Sequence, residues 1–124
     1  LDRVCVASFS ESRLARIRAA LGPSVCTALC PRAVLALRLA SYVGHPRRAV
    51  TAPCAQVPVA VGPVPVVDPR FVVAAHRSGT QVHAWTIDDA AEMVRLLELG
   101  VDGIMTDDID TLRDVLTARG AWTG

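Results

Sequence analysis

The feature that most limits the fold of this chain is a rhythm. A short apolar run is followed by a longer segment with helix-start and helix-stop signals, and the alternation occurs five times between Arg3 and Gly120. Arg3 to Ser8 predicts a strand, and Glu11 to Leu21 a helix that stops at Gly22, with Ser8 and Glu11 at capping-box spacing. Val25 to Leu29 predicts a second strand. Pro31 takes the first turn of a helix that runs to Val43 and closes at Gly44. Cys54 to Val59 predicts a third strand, and Asp68 and Pro69 open a helix that ends before Gly79. Gln81 to Thr86 is the fourth strand, followed by a helix capped by Asp89 and Glu92 and ended by Gly100. Gly103 to Thr106 is the fifth, and Asp108 or Asp110 starts a last helix that Gly120 ends. Two stretches interrupt the rhythm. Gly44 to Pro53 is polar and basic, and Val59 to Val67, with Gly62, Pro63 and Pro65, predicts an extended loop.

Repeated βα units imply an α/β fold with a parallel sheet covered by helices. Strands buried on both faces read as short continuous apolar runs, as these do. Right-handed crossovers make all strands point the same way, so their C-terminal ends share one rim, where α/β folds place their chemistry. Two architectures accommodate five units. One is a complete five-stranded doubly wound domain, for which 124 residues is a natural length. The other is the C-terminal five βα units of a (β/α)8 TIM barrel, which needs about 250 residues in full. A receiver domain is excluded, because the first strand ends in Ser8-Phe9-Ser10 rather than clustered acids and the chain has no Lys. No Gly-rich phosphate loop follows any strand.

Composition adds bounds. The chain is 52% hydrophobic, enough for a core, and its net charge of +1 gives no electrostatic case for nucleic acid as a partner. All 13 basic residues are Arg and there is no Asn, which points to coding bias rather than to individual functional choices. No stretch is apolar for long enough to span a membrane. The first residue is Leu1 and a strand begins almost at once, so the expectation is a single partial domain over residues 1–124. Any leader would lie upstream, and cytoplasmic localisation is the expectation. Of the four cysteines, Cys5, Cys26 and Cys54 fall in apolar runs with no C-x-x-C pair, which predicts small packing hydrophobes rather than a metal site, with a disulfide as the alternative.

Two stretches carry the function. "VHAWTIDD" ends a strand in Trp85 and Thr86, and "GVDGIMTDD" ends the next in Thr106 and Asp107. With "VASFS", "AQVPV" and "RFVVAAHRSG" in the same order, they resemble the C-terminal part of the glycerophosphodiester phosphodiesterase family, whose fold is a TIM barrel. The resemblance spans nearly the whole chain. It implies hydrolysis of glycerophosphodiesters to an alcohol and glycerol phosphate, with two histidines as acid and base and a divalent metal, magnesium or calcium, held by carboxylates. The family's His-Arg-Gly and Glu-x-Asp motifs, which would supply these groups, are absent here. The expectation is therefore no catalytic residue and no metal ligand in this chain, the missing N-terminal barrel half being its partner. Asp88 stands where the family usually has Asn, and Asp108-Ile109 where it usually has Arg-Pro; Asp88 still suits a helix start.

What remains for this chain is to shape the pocket for a small glycerophosphodiester. A Trp at a strand end is more often core than ligand platform, but in the family this Trp lines the pocket, which makes Trp85 the leading candidate. Gln56 matches a polar strand position that could bind a glycerol hydroxyl or simply cap the interior. Ser8 and Phe9 end the first strand, and Ser8 could be only a helix cap. Thr106 and Asp107 could orient the pocket, or Asp107 could cap the last helix. His83 lies two residues before Trp85, on the same side and one layer deeper, where it could touch the site but more simply fills a barrel layer. His76 reads as structural, His45 as a solvated loop residue, and Asp102 as part of the turn before the last strand. Two other functions stay open: a non-catalytic α/β binding module, and another phosphate-handling barrel.

Overall fold

The computed structural model describes residues 4–22, 24–43 and 52–123. His45, Arg3, Gly44 and most of the basic stretch lie outside the described residues. In chain order the elements are β1 (Cys5–Val6), α1 (Glu11–Leu21), β2 (Cys26–Thr27), α2 (Pro31–Val43), β3 (Cys54–Pro58), β4 (Ala60–Val61), β5 (Val64–Pro65), α3 (Pro69–Arg77), β6 (Gln81–Trp85), α4 (Ala90–Glu98), β7 (Gly103–Ile104) and α5 (Ile109–Ala118). All five predicted βα units form, so the chain is α/β.

Strand order follows chain order. β1 pairs in parallel with β2, Ala28 bridges to Cys54 at the start of β3, and β3, β6 and β7 form a parallel ladder. A doubly wound sheet reverses direction at a switch point and puts helices on both faces. Among the described residues the strand order shows no such reversal. The outward residues Ala55, Val57, Val82 and Ala84 pack into one core with Leu37 of α2, Phe71 and Ala75 of α3, Met93 and Leu96 of α4 and Leu112 of α5. The helices α2, α3, α4 and α5 therefore cover the same face of the sheet. Strands in chain order with helices on one side are the arrangement of a section of a (β/α)8 barrel, and the doubly wound alternative falls. Among the described residues, no helix is long and apolar enough to cross a membrane.

The element boundaries have local causes. Asp68 accepts from the Phe71 amide at 2.8 Å and Pro69 takes the first turn of α3. Asp89 accepts from the Glu92 amide at 2.8 Å, but the Glu92 carboxylate pairs with Arg95 instead of reaching back. One helix start differs from expectation, and for another the structure chooses between alternatives. α1 is capped by Ser10, which accepts from the Arg13 amide, not by Ser8. Ser8 instead accepts from the Ser10 amide at 3.1 Å and shapes the turn before the cap. α5 is capped by Asp108, which accepts from the Thr111 amide at 3.0 Å, not by Asp107. The predicted loop over 59–67 contains a small antiparallel hairpin, β4 with β5, because Gly62 at φ 56° lets the chain reverse between Val61 and Val64.

The core is aliphatic apart from Phe71, which is 0% exposed. Truncating a fully buried Phe costs about 3–5 kcal/mol. One polar contact locks α2 to the start of α3. Arg38, with its side chain 9% exposed, donates Nη1 to Asp68 Oδ1 at 2.8 Å and Nη2 to Oδ2 at 2.7 Å. Asp68 thus serves as cap and counterion at once. The Arg38 guanidinium, aided by the Phe71 amide, holds its carboxyl below the usual range against the opposing effect of burial.

Asp68→Ala is expected to destabilise the natural full-length protein by about 3 kcal/mol in denaturant unfolding, because it leaves the Arg38 charge buried without its partner. Asp89→Ala, which removes a cap from an exposed position, should cost clearly less. Because the folded pKa of Asp68 lies below its unfolded value, its contribution is complete above about pH 4 and is lost as pH falls through the depressed value. The stability gap between wild type and Asp68→Asn should therefore narrow in acid.

Candidate functional site

On a strand successive side chains alternate between faces. With Ala55, Val57, Val82 and Ala84 turned to the helices, Gln56, His83 and Trp85 occupy the other face, where each is half-buried. Parallel pairing sets them in layers. Gln56 is in register with His83, and His83 with Gly103. One layer nearer the C-terminal rim, Pro58 is in register with Trp85. The middle layer is tight. A Cβ built on Gly103 would lie 2.8 Å from His83 Cδ2, so the imidazole takes the space that a side chain at 103 would need.

The rim itself is built from strand ends. Phe9, after β1, meets Trp85, after β6, edge to face, with ring centroids 6.5 Å apart and planes at 81°. This is a preferred aromatic geometry. The Phe9 side is 82% exposed, so the pair forms an open apolar corner. The peptide bond between Trp85 and Thr86 is cis.

Beside this corner the ends of β6 and β7 are tied by Asp88. Its Oδ1 accepts from the Thr106 hydroxyl at 2.8 Å and from the Asp107 amide at 2.9 Å. Thr106 Oγ1 in turn accepts from the Asp108 amide at 2.9 Å. The Thr106 hydroxyl first, then the Asp107 amide, hold the Asp88 carboxyl below the usual range. Asp88 is thus no helix start, since Asp89 caps α4; it is a clasp between two strand ends. Sequence spacing does not reveal this, because a tandem Asp88-Asp89 offers two equivalent caps and only the position of β7 separates their roles.

The predicted site residues are therefore placed as follows. Phe9 and Trp85 come together; Gln56 lies one layer deeper, beside His83; Thr106 and Asp107 are joined through Asp88. Ser8 is engaged with the Ser10 amide. His76 and Asp102 pair at 2.8 Å, and Asp102 also accepts from the Val82 amide near the start of β6, at the end of the strands opposite the rim. Burial pushes the Asp102 carboxyl up, but the Val82 amide and the His76 ring outweigh it and hold it below the usual range.

None of these strand-end side chains is positively charged. The N-termini of α3, α4 and α5, where helices commonly receive phosphate, are already occupied by the carboxylates of Asp68, Asp89 and Asp108. The rim as it stands suits an uncharged, partly apolar group better than an anion. Among the described residues, Cys5, Cys26 and Cys54 are the three potential ligands that lie close enough together to share a metal. Thiols suit soft ions and not the oxygen-seeking magnesium or calcium.

The clasp makes a direct prediction. The Asp107 amide should be protected from hydrogen exchange in the wild type, lose that protection in Asp88→Ala and keep it in Asp88→Asn, whose amide oxygen can accept the same two bonds. In the wild type, protection relative to the intrinsic rate should fall as pH drops through the depressed Asp88 pKa, and in Asp88→Asn it should not.

Comparison with known proteins places the chain in a family. The sequence model of the Glycerophosphoryl diester phosphodiesterase family matches residues 2–111. The chain is 42% identical over 127 aligned positions to "Probable glycerophosphodiester phosphodiesterase 2" of Mycobacterium tuberculosis, covering 99% of this chain and 48% of the relative. It is 36% identical over 52 positions, 42% of this chain and 21% of the relative, to "Glycerophosphodiester phosphodiesterase" of Caldanaerobacter subterraneus. A solved structure of a "Putative glycerophosphoryl diester phosphodiesterase" from Silicibacter pomeroyi superposes with a TM-score of 0.71 at 21% identity, covering 98% of this chain and 40% of that one, which supports the fold. The chain thus spans about half the length of the Mycobacterium relative or less of the others. On the family match and this relative, the chain belongs to the glycerophosphoryl diester phosphodiesterase family.

Proposed function

We propose that residues 1–124 are the C-terminal part of a glycerophosphodiester phosphodiesterase barrel and form the wall that receives the glycerol moiety of the substrate. The observation that carries this proposal is the open Phe9–Trp85 corner above the Gln56–His83 layer. An aromatic face accommodates the glycerol carbons, the indole N–H can donate to an oxygen, and the Gln56 amide can both donate to and accept from a hydroxyl. The Asp88 clasp keeps the Thr106 and Asp107 ends beside that corner in place.

The chemistry itself needs more. A phosphodiester is an anion that repels a nucleophile, so its charge must be offset while a proton reaches the leaving oxygen. The strand ends here contribute carboxylates, and the thiol cluster does not fit magnesium or calcium. In this proposal the metal, the acid and the base come from the barrel half that precedes this chain, and no catalytic step is assigned to the described residues. Their part is to position the substrate and to exclude water from one side of it.

In the natural full-length protein, Trp85→Ala is expected to lower kcat/KM for a glycerophosphodiester at least tenfold, or about 1.4 kcal/mol. Its Tm should change little, because Trp85 is half-buried on the face away from the helix-covered core. Trp85→Phe should retain most of the activity. An unchanged kcat/KM in a normally folded Trp85→Ala protein would make Trp85 a packing residue and sink the proposal. The 124-residue chain alone should release no glycerol phosphate, with or without magnesium or calcium.

A further inference from the structure

We infer that Cys5, Cys26 and Cys54 form a three-sulfur site for a soft monovalent metal ion of the Cu(I) type, on the open face of the sheet at the N-terminal ends of its strands. Each cysteine opens a strand: β1, β2 and β3. Parallel pairing sets Cys5 opposite Cys26, and the bridge from Ala28 to Cys54 brings the third strand alongside. The three Sγ atoms lie within 4.8 Å of one another, and Cys5 and Cys54 are 3.2 Å apart. Metal–sulfur bonds of about 2.3 Å in a trigonal arrangement need sulfur–sulfur edges of about 4 Å. The cluster brackets that value, so small rotations of the side chains would close the site.

The donor set selects the ion. Three soft sulfurs with no fourth His, Cys, Asp or Glu among the described residues do not make the four-ligand set of a structural zinc site. They do not suit hard ions, which take oxygen. They suit Cu(I), which prefers thiolates and is satisfied by three. Cys5 and Cys54 are free thiols in contact, with their sulfurs 3.2 Å apart, well beyond the roughly 2.05 Å of a disulfide bond. Cys54 is 1% exposed, while Cys5 and Cys26 are half-buried.

Without metal, Cys5 and Cys54 hold their protons. Burial first, then the neighbouring thiols, push the Cys5 thiol far above the usual range, and burial pushes Cys54 up as well. Binding must therefore displace thiol protons into solvent as sulfur–metal bonds form. If two protons leave, affinity should rise about a hundredfold per pH unit near neutrality.

The test uses the natural full-length protein, reduced and anaerobic, with Cu(I) supplied against a competing chelator. One Cu(I) per chain should bind, with three sulfur neighbours by X-ray absorption. Affinity should fall at least a hundredfold in Cys54→Ala and in Cys26→Ala, and stay unchanged in Cys30→Ser. Because a cysteine variant could misfold, alkylation of the wild type gives a second readout: bound Cu(I) should shield the half-buried Cys5 and Cys26 and leave Cys30 as reactive as before. Four results would each overturn the inference. They are no stoichiometric uptake by folded wild type, uptake that persists in folded Cys54→Ala, shielding that does not follow Cys5 and Cys26, and a Cys5–Cys54 disulfide in anaerobically purified protein.

Discussion

The parallel ladder between β3 and β6 aligns five residue pairs, from Cys54 with Gln81 to Pro58 with Trp85, and the rest of the structure takes its sidedness from it. A slip of one residue would send the inward set outward. Gln56 and His83 would then press into the helices, while Val57 and Ala84 would face the open side. The slip is blocked because Ala55, Val57, Val82 and Ala84 are buried at 0–1% exposure against four helices. Hydrophobic burial on one face thus determines which polar and aromatic side chains appear on the other. The inward position of Trp85 and the Gln56–His83 layer follow from that choice of register.

A second consequence concerns charge. Carboxylates at helix N-termini stabilise the first turn by accepting its free amides. Asp68, Asp89 and Asp108 do this at the rim end of the sheet, where the same amides could otherwise have bound phosphate. Stability and anion binding compete for the same donors, and here the caps occupy them. On the reading proposed above, positive charge reaches the substrate from another part of the barrel. This makes the division proposed above physically reasonable: glycerol recognition on this side of the barrel, and phosphate and metal on the other.

The two ends of the strands also differ in chemistry. At the rim are rings, hydroxyls and carboxylates, open to solvent. At the opposite end the His76–Asp102 pair ties α3 to the turn before β7, and the cysteines of β1, β2 and β3 converge. The tie through Asp102 satisfies the Val82 amide at the start of β6, so the ladder is held at both ends, by Asp102 below and by Asp88 above.

The sequence by itself determined the elements and the family. Each βα unit carries its own local signals, such as Pro31 or Pro69 in a first turn and an Asp before α3, α4 and α5, and these act over a few residues without reference to the rest of the chain. The motifs at Trp85 and Thr106 were equally legible, being contiguous. What only the tertiary structure decided were the choices between neighbours with the same local merit. Ser10 rather than Ser8 caps α1, Asp108 rather than Asp107 caps α5, and Asp88 leaves α4 to Asp89 and clasps β7 instead. The convergence of Cys5, Cys26 and Cys54 is of the same kind. Their separations of 21 and 28 residues follow no local motif, and they meet only because parallel strands in chain order bring the strand starts side by side.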